Sequence, residues 1–212
     1  MALIVIGATN VSAHRRDEYL QAARLAVAPG RVELQLDLTP GIAIADAVID
    51  RIDRDGDGVL SAQERGDYVS VVMAAIDMRL DGGAVAIPAP AVQFPDVEAL
   101  QRGEGTIRLS SIVTLPRIQD GAHALTFRNA HQPDASVYLA NALVPDGDRI
   151  SIEAQRRDPD QRELTIHYVV DARTPVSMQI WIAICIAGTA LVALLLRGSP
   201  VTIRPRVRSS VG

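Results

Sequence analysis

The sequence predicts an α+β fold, in which a helix-loop-helix unit is inserted into a mainly β-sandwich-like domain and one membrane-spanning helix follows. Three observations lead to this prediction. Short strand patterns alternate with turn clusters through the second half of the chain. Twelve residues rich in Asp and Gly separate two stretches whose apolar residues have helical spacing. A nearly continuous apolar run of 20 residues lies close to the C-terminus.

The first two strands are predicted at 19–28 and 31–38, on either side of a Pro-Gly turn. Apolar and polar residues alternate from Val32 to Leu38. This alternation is typical of a strand with one buried and one solvated face. A Thr-Pro-Gly sequence then ends the strand, and the inserted unit begins there.

The inserted unit is predicted over 41–77 and consists of two helices and the loop between them. Apolar residues recur at helical spacing over 41–52 and again over 62–76, so a helix is expected on each side of the loop. Gly58 stands at position 6 of the twelve-residue loop, where a side chain would strain a sharp turn. Oxygen-bearing side chains occupy loop positions 1, 3, 5, 9 and 12, namely Asp53, Asp55, Asp57, Ser61 and Glu64.

This loop resembles the calcium loop of an EF-hand. Calcium takes about six to eight oxygen ligands, so a short loop must turn alternate side chains inward around the ion. The resemblance implies that the five side chains above bind Ca²⁺, that Glu64 supplies two oxygens, and that Val59 adds its backbone carbonyl. The alternative is an acidic turn that binds no ion. Because no second loop accompanies this one, the β domain is expected to brace it, with calcium in a structural role.

The remainder of the domain is predicted to be mostly strand. A hairpin is expected from 77–80 and 84–87, and a long proline-rich connection over 88–105 contains one helical turn at 96–100. Five further strands are predicted at 106–115, 122–128, 136–144, 149–155 and 163–171. The spacing of these strands is typical of a β-sandwich.

The apolar run predicts one membrane span over 176–197, because about 20 residues of helix cross a hydrocarbon core. The tail at 198–212 carries three Arg and no acid, which places it in the cytoplasm and residues 14–175 on the extracytoplasmic, periplasmic side. Residues 1–13 combine a short apolar stretch with a small-residue end, and we interpret them as a truncated signal peptide. The alternative is that they form a first strand.

Composition excludes several classes of function. Residues 14–175 hold all 25 acidic residues but only 17 of the 21 basic ones, so no electrostatic footprint for nucleic acid is present. The lone Cys185 lies in the apolar run, which excludes a disulfide framework. No nucleophile elbow, phosphate loop or His-Glu metal helix occurs, and we therefore predict a protein that is not an enzyme.

Two functional hypotheses follow. The first is a calcium-binding membrane protein that crosses the bilayer with its single span and whose extracytoplasmic β domain interacts with an unidentified envelope protein. The order of parts is similar to uncharacterised bacterial membrane-anchored EF-hand proteins and, more loosely, to periplasmic accessory domains of nickel and cobalt transport systems. That second likeness implies an alternative in which His14, with His131, binds nickel, cobalt or copper. Arg15 and Arg16 follow His14, which departs from the His-rich start of that family.

A polar stretch over 127–134 is a further candidate for a binding patch, together with Tyr138 and Asn141. Turn chemistry explains its Asn, Pro and Asp equally well. Both interpretations therefore stay open at this point.

Overall fold

The computed structural model describes residues 18–171. This part of the chain is mostly β, with ten strands and three short helices. The elements in chain order are β1 Tyr19–Ala28, β2 Arg31–Pro40, α1 Ala45–Ile52, α2 Ala62–Ala74, β3 Ile76–Leu80, β4 Gly83–Ala84, β5 Ala91–Gln93, α3 Val97–Gln101, β6 Ile107–Thr114, β7 Gly121–Asn129, β8 Ser136–Ala142, β9 Ile150–Arg157 and β10 Glu163–Val170. The predicted signal remnant at 1–13, His14, the span at 176–197 and the tail at 198–212 lie outside the described residues.

The strands form two five-stranded sheets. The first sheet has the order β5-β6-β2-β1-β8, and the second has the order β4-β3-β7-β10-β9. Neighbouring strands are antiparallel, except that β1 and β8 pair in parallel. The parallel pair joins the first strand to one that follows more than a hundred residues later, so a distant part of the chain supplies the edge strand β8 of the first sheet.

One hydrophobic core takes side chains from both sheets and from the inserted helices. Leu36 of the first sheet and Phe127 of the second are almost fully buried in it. Ile52 at the end of α1 and Val72 of α2 belong to the same core. The helix-loop-helix therefore lies between β2 and β3 in sequence and packs on the β domain instead of standing apart from it.

The predicted β-rich domain is confirmed, and most strand positions agree closely with the sequence pattern. Burial along β2 alternates residue by residue, as expected from the alternation after Val32. The helix predicted over 41–52 begins only at Ala45, because β2 continues to Pro40, which pairs with Tyr19. The second helix of the unit ends two residues early because β3 begins at Ile76.

Two strands differ from expectation. β5 lies inside the stretch predicted as a loop; its three residues are all exposed, so no alternation of burial marks it in the sequence. It is held by antiparallel pairing with β6 at the edge of the first sheet. The strand predicted at 84–87 is reduced to β4, two residues paired with the end of β3.

Between residues 18 and 171, no helix is both long and apolar enough to cross a membrane. The span predicted at 176–197 is not covered by this finding. It stays a prediction from the sequence.

Candidate metal centre

The acidic loop connects the end of α1 to the start of α2, and core residues hold both ends. The apolar face of α1 is buried, with Ile52 only 1% exposed just before the loop. Leu60 is buried near the other end, whereas Val59 is exposed. The two helices thus fix where the loop begins and ends; Asp53 and Glu64 at its two ends are buried, whereas Asp55 and Asp57 are exposed.

Three carboxylates come together inside this loop. Asp53, Asp55 and Asp57 each offer one oxygen, and these three oxygens all lie within 4.8 Å of one another. This is the one group of three or more His, Cys, Asp or Glu side chains with such spacing in the part of the chain that the structure describes. Alternate positions of the loop therefore do point the same way, as the sequence spacing predicts.

Backbone hydrogen bonds to Asp53 produce this convergence. Its two carboxylate oxygens accept from the amides of Gly56 and Gly58, each at 2.8 Å. Both glycines have positive φ, +70° and +80° respectively, a conformation that L side chains rarely adopt. The sharp turn predicted at Gly58 is confirmed, and a second one occurs at Gly56.

The three carboxylates place negative charges close together. No Arg or His among residues 18–171 forms an ion pair with Asp53, Asp55 or Asp57. A hydrogen bond from the Asp57 amide lowers the pKa of Asp55, but desolvation and the charges of Asp57 and Glu64 outweigh it, so the net shift is upward. A bound cation would remove this repulsion.

Glu64 has a different arrangement from the three aspartates. Its Oε1 accepts from the Arg54 amide at 2.7 Å, and its Oε2 accepts from the amide and hydroxyl of Ser61 at 2.9 and 2.7 Å. Ser61 is the N-cap of α2 and Glu64 the third residue of the helix, so the two form a capping box. Glu64 lies outside the 4.8 Å group of carboxylates. Its hydrogen bond from the Arg54 amide connects position 12 of the loop to position 2.

These hydrogen bonds lower the pKa of Glu64 to about 2, with the Ser61 hydroxyl as the largest cause and the amides of Ser61 and Arg54 next. Because this pKa is lower than its ordinary value of 4.5, the bonded carboxylate stabilises the fold fully above pH 4.5. That stabilisation is lost as pH falls from 4.5 towards 2. We therefore expect the melting temperature in calcium-free buffer to fall more steeply over this range in the natural protein than in Glu64→Gln. Parallel curves for the two proteins would contradict this prediction.

The donor chemistry restricts the ion that the loop would take. Its candidate ligands are carboxylate, hydroxyl and carbonyl oxygens, which suit hard cations such as calcium and magnesium. No match was found among protein-family models, curated proteins or solved structures. The arrangement of these oxygens is therefore the basis for assigning a ligand.

A buried polar cluster, which we define as Tyr19, Gln21, Tyr68, Asn129 and His131, joins the helix-loop-helix to both sheets. The Tyr19 and Tyr68 hydroxyls lie 2.6 Å apart, and the Tyr68 hydroxyl lies 3.3 Å from His131 Nε2. Gln21 donates to the His131 carbonyl at 2.8 Å and accepts from the Asn129 amide at 2.8 Å. These residues come from three segments that are far apart in the chain, so no local pattern in the sequence predicts that they meet.

Within this cluster His131 is neutral. It is 3% exposed, and burial, followed by the charge of Arg51, lowers its pKa to about 4. Its Nε2 accepts from the Gln132 side-chain amide at 3.1 Å. His131 does not belong to the one described group of metal-type side chains, and His14 lies outside the described residues. Part of the polar stretch at 127–134 is therefore structural, because two of its residues, Asn129 and His131, are buried inside the domain.

Proposed function

We propose that the loop from Asp53 to Glu64 binds Ca²⁺ and that the bound ion stabilises a non-catalytic, extracytoplasmic β-sandwich-like domain. The observation that carries this proposal is the convergence of three aspartate oxygens within 4.8 Å in a loop turned by two glycines. The helical flanks, with α1 before the loop and α2 after it, support the EF-hand assignment.

Calcium fits this donor set better than magnesium does. The loop offers one oxygen from each of three aspartates, the Ser61 hydroxyl, the Val59 carbonyl and the two oxygens of Glu64; these seven oxygens lie within the six to eight ligands that calcium takes. Magnesium demands a tighter octahedron and keeps several waters, so it is bound by fewer protein groups. To bind the ion, the Glu64 oxygens would have to accept the hydrogen bonds of the capping box and coordinate calcium at the same time. A carboxylate has about four lone-pair sites, which is enough for both.

The packing of the loop supports a stabilising role for the ion. Leu60 and the flanking residues Ile52, Tyr68 and Val72 belong to the common core, and Tyr68 is hydrogen-bonded to Tyr19 of β1. An ion that fixes the loop therefore also fixes helices that the sheets depend on. Binding to the folded state alone contributes about 2.7 kcal/mol at a hundredfold excess of ion over Kd.

The proposed membrane anchor and the proposed protein partner are both inferred from the sequence. The apolar run at 177–196 would hold the domain at the outer face of a membrane, with the basic tail inside. An unidentified envelope protein is the proposed partner.

The proposal is tested by thermal unfolding of the purified full-length protein in mild detergent. We expect millimolar calcium to raise the midpoint by about 5–10 °C over excess chelator, since 1 kcal/mol corresponds to roughly 2–4 °C for a chain of this size. Asp53→Asn should abolish most of this increase. Asp50→Asn, an equal loss of charge at an exposed position on α1, should retain it. Equal midpoints in calcium and in chelator for the natural protein would disprove the stabilising role.

A further inference from the structure

A pocket of about 520 Å³ opens beside the acidic loop, between the inserted helices and the turn after β7. Two arginines, Arg51 and Arg54, line one part of it. Tyr68, His131 and Gln132 supply neutral polar groups, and Val71 contributes an apolar wall. Cationic and neutral polar side chains therefore line one space, although the domain as a whole is acidic.

Arg51 is the cation best placed to hold an anion there. In the described part of the chain it makes no ion pair, and its one hydrogen bond runs to the Gln132 side-chain carbonyl oxygen. A guanidinium has five N–H donors, so most of them are left for a ligand. Its charge lowers the pKa of His131 and opposes the upward pKa shift of Tyr68, which shows that it acts on the polar wall of the pocket.

Arg54 connects this pocket to the proposed calcium loop. It stands between Asp53 and Asp55, and its backbone amide donates to Glu64. Its guanidinium is only loosely paired, 3.9 Å from the Asp67 carboxylate, and both side chains are largely exposed. An anion near Arg54 therefore meets the field of the loop carboxylates when no cation is bound, and a weaker repulsion when calcium is present.

Planar guanidinium groups bind carboxylates in a bidentate manner, and the apolar wall at Val71 suits a short aliphatic chain. We propose that this pocket binds the carboxylate of a small organic acid and that calcium in the adjacent loop strengthens this binding. The second part rests on the proposed function. Because coupling is reciprocal, the acid must also strengthen calcium binding by the same factor.

The test uses butyrate as the probe and saturation-transfer NMR on the full-length protein in detergent, with and without calcium. We expect Arg51→Gln to weaken butyrate binding by roughly tenfold, since hydrogen bonds between charged groups are among the strong ones. Arg31→Gln is the matched control, because Arg31 is an exposed arginine on β2 outside the pocket. It should bind butyrate as the natural protein does. Both exposed arginines can be replaced without opening the core, and thermal midpoints verify that the variants are folded.

Calcium is expected to raise the affinity for butyrate by about fivefold or more, the lower range of measured couplings between sites. Butyrate binding that is absent, or equal in the natural protein and Arg51→Gln, would overturn the pocket. Stronger binding of inorganic phosphate than of butyrate would overturn the carboxylate assignment. Preference for the trialanine peptide over butyrate, lost when its C-terminus is amidated, would indicate a peptide source and overturn the small acid.

Calorimetry with calcium on the same samples separates the two proposals. Calcium binding without any effect on butyrate overturns the coupling alone. Butyrate binding that depends on Arg51 in a protein that takes up no calcium supports the pocket and overturns the proposed function.

Discussion

Glu64→Gln is expected to weaken calcium binding by roughly 10- to 100-fold or more, because loss of even an outer-shell partner of a metal site costs that much. In the proposed site Glu64, at loop position 12, would supply two oxygens to the ion, whereas Gln would offer one neutral oxygen instead. The affinity is measured by isothermal titration calorimetry of the purified protein with calcium.

The substitution separates ion binding from local folding. Gln also occurs at the third helix position of a capping box, so its side-chain oxygen can still accept a hydrogen bond from the Ser61 backbone amide. Far-ultraviolet circular dichroism should therefore show α2 intact in the variant. Glu98→Gln is the control, since Glu98 is an exposed acid in the first turn of α3. An unchanged calcium affinity in Glu64→Gln would show that Glu64 acts only as a cap.

The second large effect is expected in the buried polar cluster. Gln21 is 1% exposed, and Gln21→Leu removes its hydrogen bonds to Asn129, Ser136 and the His131 carbonyl. The side-chain amide of Asn129 is then buried without this acceptor, and an unsatisfied buried polar group lowers the free energy of unfolding by about 1–3 kcal/mol. Counting the lost bonds as well, we expect the free energy of unfolding to fall by about 2–4 kcal/mol.

Chemical denaturation provides this free energy, and Gln93→Leu is a suitable control. Gln93 lies on the edge strand β5 and is exposed, so its replacement should change stability by no more than about 0.5 kcal/mol. If Gln21→Leu unfolded at the same denaturant concentration as the natural protein, the cluster would not join the first strand to the rest of the domain. A shallower transition in the variant would indicate loss of two-state behaviour instead.

The strands were predictable to the extent that their burial alternates. β1, β2 and β10 show a regular alternation of buried and less buried positions, and their bounds agree with the sequence pattern to within two residues. The exposed β5 escaped prediction, and the strand predicted at 84–87 is reduced to the two-residue β4. Their existence depends on pairing with a neighbouring strand, and their own side chains carry no periodic signal.

In the candidate site, the aspartate group was predictable and the position of Glu64 was not. Asp53, Asp55 and Asp57 lie at alternate positions of one short loop, so their convergence follows from local backbone turns. Ser61 and Glu64 also match the pattern of a capping box, a role that is overlooked when the two residues are assigned only as ligands. In the structure, Glu64 has this capping role.

The periodicity of apolar residues and the spacing of acids are local properties, and they were enough to place the longer strands, the two inserted helices and the acidic loop. The parallel pairing of β1 with β8, the buried polar cluster and the arginine-lined pocket depend on residues far apart in the chain. Such contacts form because separate segments must satisfy their buried polar groups and fill one common core. Only the folded chain determines which segments meet, and so only the tertiary structure decided where Gln21, Arg51 and His131 act.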